Sequence, residues 1–376
     1  MKILSLLPVL GHPRDSKRIT MLKESGFEVT VQAFERDYHS GRLPDCDVEV
    51  LGKISHGNYM NRIIKLIKAL PKIRRGMKKA DMAYASGPDM ALIGLIAGFG
   101  LNKPVALEVG DIRDIQLSKS ISGKIVRFLD KKLVDSCCIV VVISQGFKDV
   151  YYKQWLKTKT PVLLIENKLE SSFVESLNKT EANVSNGIPL VDRPLRIGYF
   201  GLLRDKWTWD VLEKLALTRP DAFEIVMAGF PMDPIQNLPE LIKKYKNIEY
   251  LGEYRSPHGL QTIYDKVDMV WACYPPMGEN DWNFKWGRPN RFFESCCFQK
   301  PLFIRAGCHC GTEVEQYQIG KLIDDFDVDR VATDISNIKP EEFTNWKKNM
   351  ATLPQKLFMY TDEANELRDE INKLFK

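Results

Sequence analysis

Two side chains in the stretch RPNRFFESCCFQKPLF, residues 288–303, combine into a recognisable chemistry. Asn290 reads as a helix N-cap, and Arg291 and Glu294 then share one side of the helix that follows. Phe292, Phe293, Cys296 and Cys297 supply the side that packs inward. Unpaired backbone N–H groups and the dipole at a helix start favour a phosphate, and the Arg291 guanidinium adds a fixed positive charge. A carboxylate one turn in can accept two hydrogen bonds from a vicinal diol. Phosphate plus diol describes a nucleoside diphosphate and its ribose. The same residues also suit a plain Arg–Glu pair on a surface helix, and the pattern alone leaves both readings open.

A second group of carboxylates lies in EVGDIRD, residues 108–114, just past an apolar run. Residues beyond the carboxyl end of a parallel strand point toward the ligand crevice. Asp111 is the first candidate for a general base and Asp114 the second, with Glu108 and Arg113 beside them. Each Asp equally suits a turn or a helix cap. His12 in GHPRD stands in the same way after the first strand, where a lone His is usually structural.

These residues need elements to position them. The chain has 376 residues, enough for two domains, with 44% hydrophobic and 27% charged residues, as in a soluble globular protein. Strands are expected at 2–8, 27–34, 81–86, 104–110, 137–144 and 161–165, with helices between them, for example Asp15 to Ser25 and Ser120 to Val134. The alternation restarts at 195–201, 223–229, 248–252, 268–274, 301–307 and 320–324. This predicts an α/β protein of two Rossmann-like, doubly wound domains, with ligand in a cleft between them. The expected limits are a first domain over 1–172, a polar linker over 173–194, a second domain over 195–355 and a C-terminal helix over 356–376.

Composition excludes several classes. A net charge of +5 is small for a nucleic-acid binder. No Gly-x-Gly-x-x-Gly follows a strand, which disfavours a nicotinamide dehydrogenase. No apolar run reaches the roughly 20 residues of a membrane span. No secretory leader is visible, so the sequons at 178–180 and 183–185 carry little weight and a cytoplasmic protein is expected. The eight cysteines sit mostly in apolar runs and read as reduced. Cys308 and Cys310 flank His309 without a second ligand pair, and the Asp-x-Asp patterns at 45–47 and 325–329 are ordinary acidic loops, so no metal and no cofactor is expected.

The stretch PNRFFESCCFQKPLF resembles the C-terminal signature of GT-B glycosyltransferases near family 4, roughly Pro-x-Lys-x-x-Glu, an apolar run, Gly-Lys-Pro and a strand. Arg291 stands at the Lys position and Gln299 at the Gly position. By this resemblance Glu294 binds the donor ribose, Arg291 lies near the diphosphate, and Arg204 or Lys206 after LRIGYFGLL also meets the diphosphate. Asn290 and Gly11, the single glycine after the first strand, complete the donor-side candidates. The resemblance covers most of the chain and extends to YASGPDMALIGLIAGFGLNKPVALEVGDIRD on the acceptor side. It departs at Trp286, where many relatives carry a first Glu; Glu279 and Asp281 lie nearby. It implies metal-independent transfer of a sugar from a UDP- or GDP-linked donor to a glycan or lipid-linked acceptor in surface polysaccharide synthesis. A sugar-nucleotide 2-epimerase of the same fold and a non-catalytic two-domain binding protein are the alternatives.

Residues 61–79, NRIIKLIKALPKIRRGMKK, hold Lys65, Lys68, Lys72, Arg74 and Arg75 among eight basic residues and no acid. A basic amphipathic helix suits the anionic inner face of a plasma membrane, and equally a packed helix with a solvated basic side. Pro71 is expected to kink or split it.

Overall fold

The computed structural model describes residues 1–35, 43–54, 59–177, 189–278 and 281–375. Its elements begin β1 (Lys2–Leu7), α1 (Pro13–Glu24), β2 (Glu28–Glu35), β3 (Val48–Lys53), α2 (Tyr59–Lys79), β4 (Met82–Ser86) and α3 (Pro88–Ala97). Then come β5 (Val105–Val109), α4 (Asp114–Leu117), α5 (Ile121–Asp135), β6 (Ile139–Val142), a π-helical stretch Phe147–Leu156 and β7 (Val162–Leu164). After α6 (Ser171–Leu177) the alternation resumes with β8 (Leu195–Leu203), α7 (Lys206–Thr218), β9 (Phe223–Pro231), α8 (Leu238–Leu241), β10 (Ile248–Tyr250), α9 (Leu260–Tyr264) and β11 (Met269–Trp271). The chain ends with α10 (Trp282–Trp286), α11 (Asn290–Cys297), β12 (Leu302–Arg305), α12 (His309–Tyr317), β13 (Gly320–Ile323), α13 (Val328–Ser336), α14 (Pro340–Met350) and α15 (Glu363–Lys373).

Two parallel sheets result, ordered β3-β2-β1-β4-β5-β6-β7 and β10-β9-β8-β11-β12-β13. In each, the chain moves outward on one side of its first strand, then crosses to the other side. The crevices at the carboxyl ends of β1/β4 and β8/β11 are therefore topological switch points. Both faces of each sheet are covered, so the strands read as almost unbroken apolar runs. In β8, Leu195, Ile197 and Tyr199 join one core while Phe200 joins the other, which is the two-residue period of a strand.

The compact units are Met1–Asn167 with Thr361–Lys376, and Lys168–Tyr360. The chain thus changes unit ahead of the polar stretch drawn as a linker. That stretch contains part of α6 and a short bridge between Pro189 and Arg193, while 178–188 lie outside the described residues. Helix α15 packs with the first unit: the Ser25 hydroxyl donates to the Ala364 carbonyl at 3.1 Å. Two expectations are corrected. Pro71 does not split α2: one helix runs from Tyr59 to Lys79 with the proline inside it. And VEVLGK forms an additional strand, β3, at the sheet edge, where its half-exposed, part-charged sequence carries no strong apolar signal.

Candidate active site

Helix α11 carries the pair singled out from the sequence. Its cap is Pro289, in extended conformation, and Asn290 is the first helical residue and exposed. Asn290 is thus not the N-cap: Pro289 pre-sets the entry angle and leaves no capping oxygen in use. The helix closes at Phe298, followed by Gln299 at φ 52°. That left-handed position ordinarily favours glycine, which explains why the related signature has Gly there.

Arg291 and Glu294 do not form a solvated pair. Both are buried. The Arg291 guanidinium lies between two rings, 5.1 Å from the Tyr199 centroid and 5.0 Å from that of Tyr274. Its Nη1 donates to the Trp271 carbonyl at 2.7 Å, and Nη2 donates to the Tyr274 hydroxyl. A planar, weakly hydrated guanidinium can be buried in this way, because its faces stack on aromatic rings while its edge donates. Tyr199 belongs to β8 and Trp271 ends β11, so Arg291 sits at the switch point of the second sheet. Glu294, one turn on, accepts from the Tyr264 hydroxyl at 2.9 Å. Burial, and then the Glu294 charge, push the Tyr264 phenol well above its ordinary value, and Tyr254 is raised by the same two causes.

The loop leaving β8 supplies the remaining donor-side candidates. Gly201 and Gly229 have φ of 102° and 128°, and a Cβ on Gly229 would stand 2.0 Å from the Gly201 carbonyl oxygen. Only glycines let the ends of β8 and β9 approach this closely. Arg204 is exposed in this loop. Lys206 begins α7, and its ammonium is held by Asp210 one turn on, at 2.7 Å; its charge is partly spent within the helix. Asp205 caps α7 by accepting from the Thr208 backbone at 2.9 Å, and Thr208 Oγ1 in turn accepts from the Trp271 indole at 3.0 Å. Asp205→Ala is expected to lower stability by about 1 kcal/mol, read as a shifted urea midpoint at unchanged slope.

Sequence reasoning missed the tyrosines, because Tyr199, Tyr264 and Tyr274 reach the site from a strand, a helix and the segment after β11, all outside α11. It also missed a polar cluster beside α11. Arg288 pairs with Glu313 and lies 2.9 Å from His309 Nε2, and Arg305 pairs with Asp281. Burial, then Arg288, lower His309 to about 4, so it is neutral near pH 7. Cys308 caps α12, its sulfur accepting from the Gly311 backbone N–H at 3.3 Å. Among the described residues no group of three or more His, Cys, Asp or Glu is placed to hold a metal ion. Glu279 lies outside the described residues.

In the first unit the switch point between β1 and β4 is also polar. Glu108 is buried and takes a two-pronged contact from Arg18, at 2.9 and 3.2 Å, plus the Tyr84 hydroxyl at 2.6 Å. Burial opposes its charge, but Arg18, Arg14 and Tyr84 hold its carboxyl below the usual range. Asp15 accepts from Ser86 at 2.8 Å and lies 3.9 Å from His12 Nδ1. Burial outweighs Asp15 and lowers the His12 pKa. Gly11, at φ 82°, turns the chain from β1 into α1. Asp111 and Asp114 are exposed beyond β5, and Asp114 is the first residue of α4.

No family model matches the sequence. The succinoglycan biosynthesis protein ExoL of Rhizobium meliloti (strain 1021) is 25% identical over 347 residues, covering 90% of this chain and 85% of ExoL. Among solved structures, sucrose-phosphate synthase from Thermosynechococcus elongatus superposes with a TM-score of 0.67 at 15% identity, covering 100% of this chain and 99% of that one. Anabaena HepE in complex with UDP-glucose gives 0.67 at 16%, over 99% and 100%. The chain has the GT-B glycosyltransferase fold. UDP-GlcNAc 2-epimerase from Neisseria meningitidis, bound to UDP-GlcNAc, shares the architecture, with 0.61 at 14% over 99% and 100%.

In this GT-B chain the position of the first signature Glu is Trp286, which ends α10. The basic residues of α2 all fall in the first unit, and several are engaged. Lys65 donates to the Lys53 carbonyl, Lys72 to that of Val50 at 3.2 Å, and Arg74 to those of Ala97 and Phe99 at 2.7 and 2.8 Å. Arg74 therefore caps the end of α3, while Lys68 and Arg75 are exposed.

Proposed function

We propose that the protein is a glycosyltransferase of polysaccharide biosynthesis. It moves a sugar from a UDP- or GDP-linked donor to a glycan or lipid-linked acceptor without a metal, at the cytoplasmic face of a membrane. The observation that carries this reading is the placement of Arg291 and Glu294 on one helix at the β8/β11 switch point. A cation and a carboxylate stand there about one helical turn apart, where open parallel sheets bind their ligands. ExoL and the UDP-glucose complex of HepE, as named, support the pathway and the donor class.

In this account Glu294 receives the ribose hydroxyls. The Tyr264 hydroxyl, donating to one of its oxygens at 2.9 Å, fixes the orientation of the carboxylate. Charge develops on the leaving diphosphate during transfer, and fixed cations stabilise it best when preorganised. Arg291 is preorganised by its two tyrosines, and Arg204, Lys206 and Asn290 are the exposed donors nearby in sequence to β8 and α11. On the acceptor side Asp111 serves as the base for the incoming hydroxyl, with Asp114 next in line. Gly11 gives the turn after β1 its close backbone approach.

Release of nucleoside diphosphate from UDP- and GDP-sugars in the presence of an acceptor extract tests this. Asp111→Asn is expected to slow turnover about 100-fold, within the usual range for a general base, with donor binding unchanged. If His12→Ala slows turnover and Asp111→Asn does not, the base is assigned wrongly. The likeness to the Neisseria epimerase favours one rival, a sugar-nucleotide 2-epimerase. That rival is separated by incubating donor alone: an epimerase converts it without acceptor, and a transferase does not.

A further inference from the structure

We propose that the outward face of helices α3 and α5 is a docking surface that sinks into an anionic phospholipid bilayer. The proposal rests on the peripheral placement above, but it moves the main contact from basic α2 to an apolar ridge beside it. Helix α5 is amphipathic the wrong way round for a soluble domain. Ile121, Ile125, Phe128 and Leu129 recur at helical spacing and are 77, 55, 60 and 59% exposed, whereas Gly123, Asp130 and Val134 face inward. On α3 and its end, Leu92, Ile96 and Phe99 form a second stripe, 50, 52 and 85% exposed. Between the stripes runs a groove of about 710 Å³, walled by Leu95, Val126 and Leu133. Helix α2 extends the ridge with exposed Ile63, Ile64 and Ile67. Scattered apolar residues on a surface are ordinary, but contiguous ones mark a contact.

Charge selects the occupant. Lys68, Arg75, Lys78 and Lys79 are exposed on α2, and Lys124 and Lys132 on α5. Two acids beside the groove are already committed. Asp89 pairs with Arg62 at 2.7 Å and Arg113 at 3.1 Å, and Asp130 is buried and accepts from Tyr151 and Gln116. The rim is therefore positive around an apolar centre, which complements anionic headgroups above acyl chains. A second copy of the chain would set two positive rims against each other. Trp155, 42% exposed and under the Arg127 guanidinium, adds an interfacial aromatic.

Flotation of the full chain with phosphatidylcholine vesicles, with and without phosphatidylglycerol, tests the proposal. The wild type is expected to float with the anionic vesicles and to keep part of its binding at high salt, where charge attraction is screened. Ile96→Asp with Phe128→Asp, both at exposed sites, should cut the bound fraction at least tenfold. Lys68→Glu with Arg75→Glu and Lys78→Glu should weaken binding only at low salt. Phe128→Trp should shift its emission to the blue on adding anionic vesicles. The ridge is refuted if the Asp double variant floats like wild type while the Glu triple variant does not; peripheral binding through α2 then stands alone. A wild type that never floats ends both ideas. A wild-type dimer that the Asp variant splits in light scattering assigns the face to a second copy instead.

Discussion

Glu294→Ala is expected to weaken binding of a nucleoside diphosphate roughly 1,000-fold, the equivalent of about 4 kcal/mol. The reasoning starts from the carboxylate's surroundings. It is buried one turn into α11, beyond Arg291, and held by the Tyr264 hydroxyl. Hydrogen bonds to a charged acceptor contribute about 1.5–3 kcal/mol each, and a ribose diol makes two. The same substitution removes a partner from buried Tyr264, so the free protein also loses about 1–3 kcal/mol of stability. Glu294→Gln separates the two effects. The carboxamide oxygen can still accept from Tyr264, so folding should be nearly kept, while the lost charge still weakens the nucleotide. Thermal shifts with and without UDP and GDP read both quantities.

Arg291→Met carries the second large effect, and it falls on stability as well as on binding. The guanidinium is stacked on Tyr199 and Tyr274 and bonded to the Trp271 carbonyl. A desolvated cation–π contact is worth about 2 kcal/mol, and the charged hydrogen bond about 1.5–3 kcal/mol. Methionine recovers part of this by packing, so a net loss of about 3 kcal/mol is expected. Arg291→Lys should not rescue it. An ammonium cannot present two flat faces to the rings and an edge to a carbonyl at once. Chemical denaturation of the three proteins gives the stability differences, and UDP titration gives the loss of diphosphate affinity.

How much of this could be read from the sequence differs from residue to residue. The two alternating runs of strands and helices gave both sheets, because parallel strands covered on both faces leave continuous apolar stretches. Edge strand β3 left no such trace. The spacing of Arg291 and Glu294 placed them on one helix, but not in the interior. Their burial depends on Tyr199, Tyr264, Trp271 and Tyr274, which come from other elements, and no local pattern announces those partners. By contrast, the tie between Lys206 and Asp210 has the ordinary i,i+4 spacing and is legible in the chain itself. Helix α5 shows a limit of another kind. Periodicity reports that a helix has an apolar side, not whether that side turns inward. Ile121, Ile125 and Phe128 satisfy the pattern of a core stripe and lie outside.

The most direct test of the central claim is a crystal structure with UDP or GDP bound. The account predicts ribose hydroxyls within hydrogen-bond distance of the Glu294 carboxylate and phosphate oxygens on the Arg291 side of α11, against the loop that follows β8. A nucleotide bound away from the carboxyl ends of β8 and β11, with Glu294 contacting only protein, would contradict it.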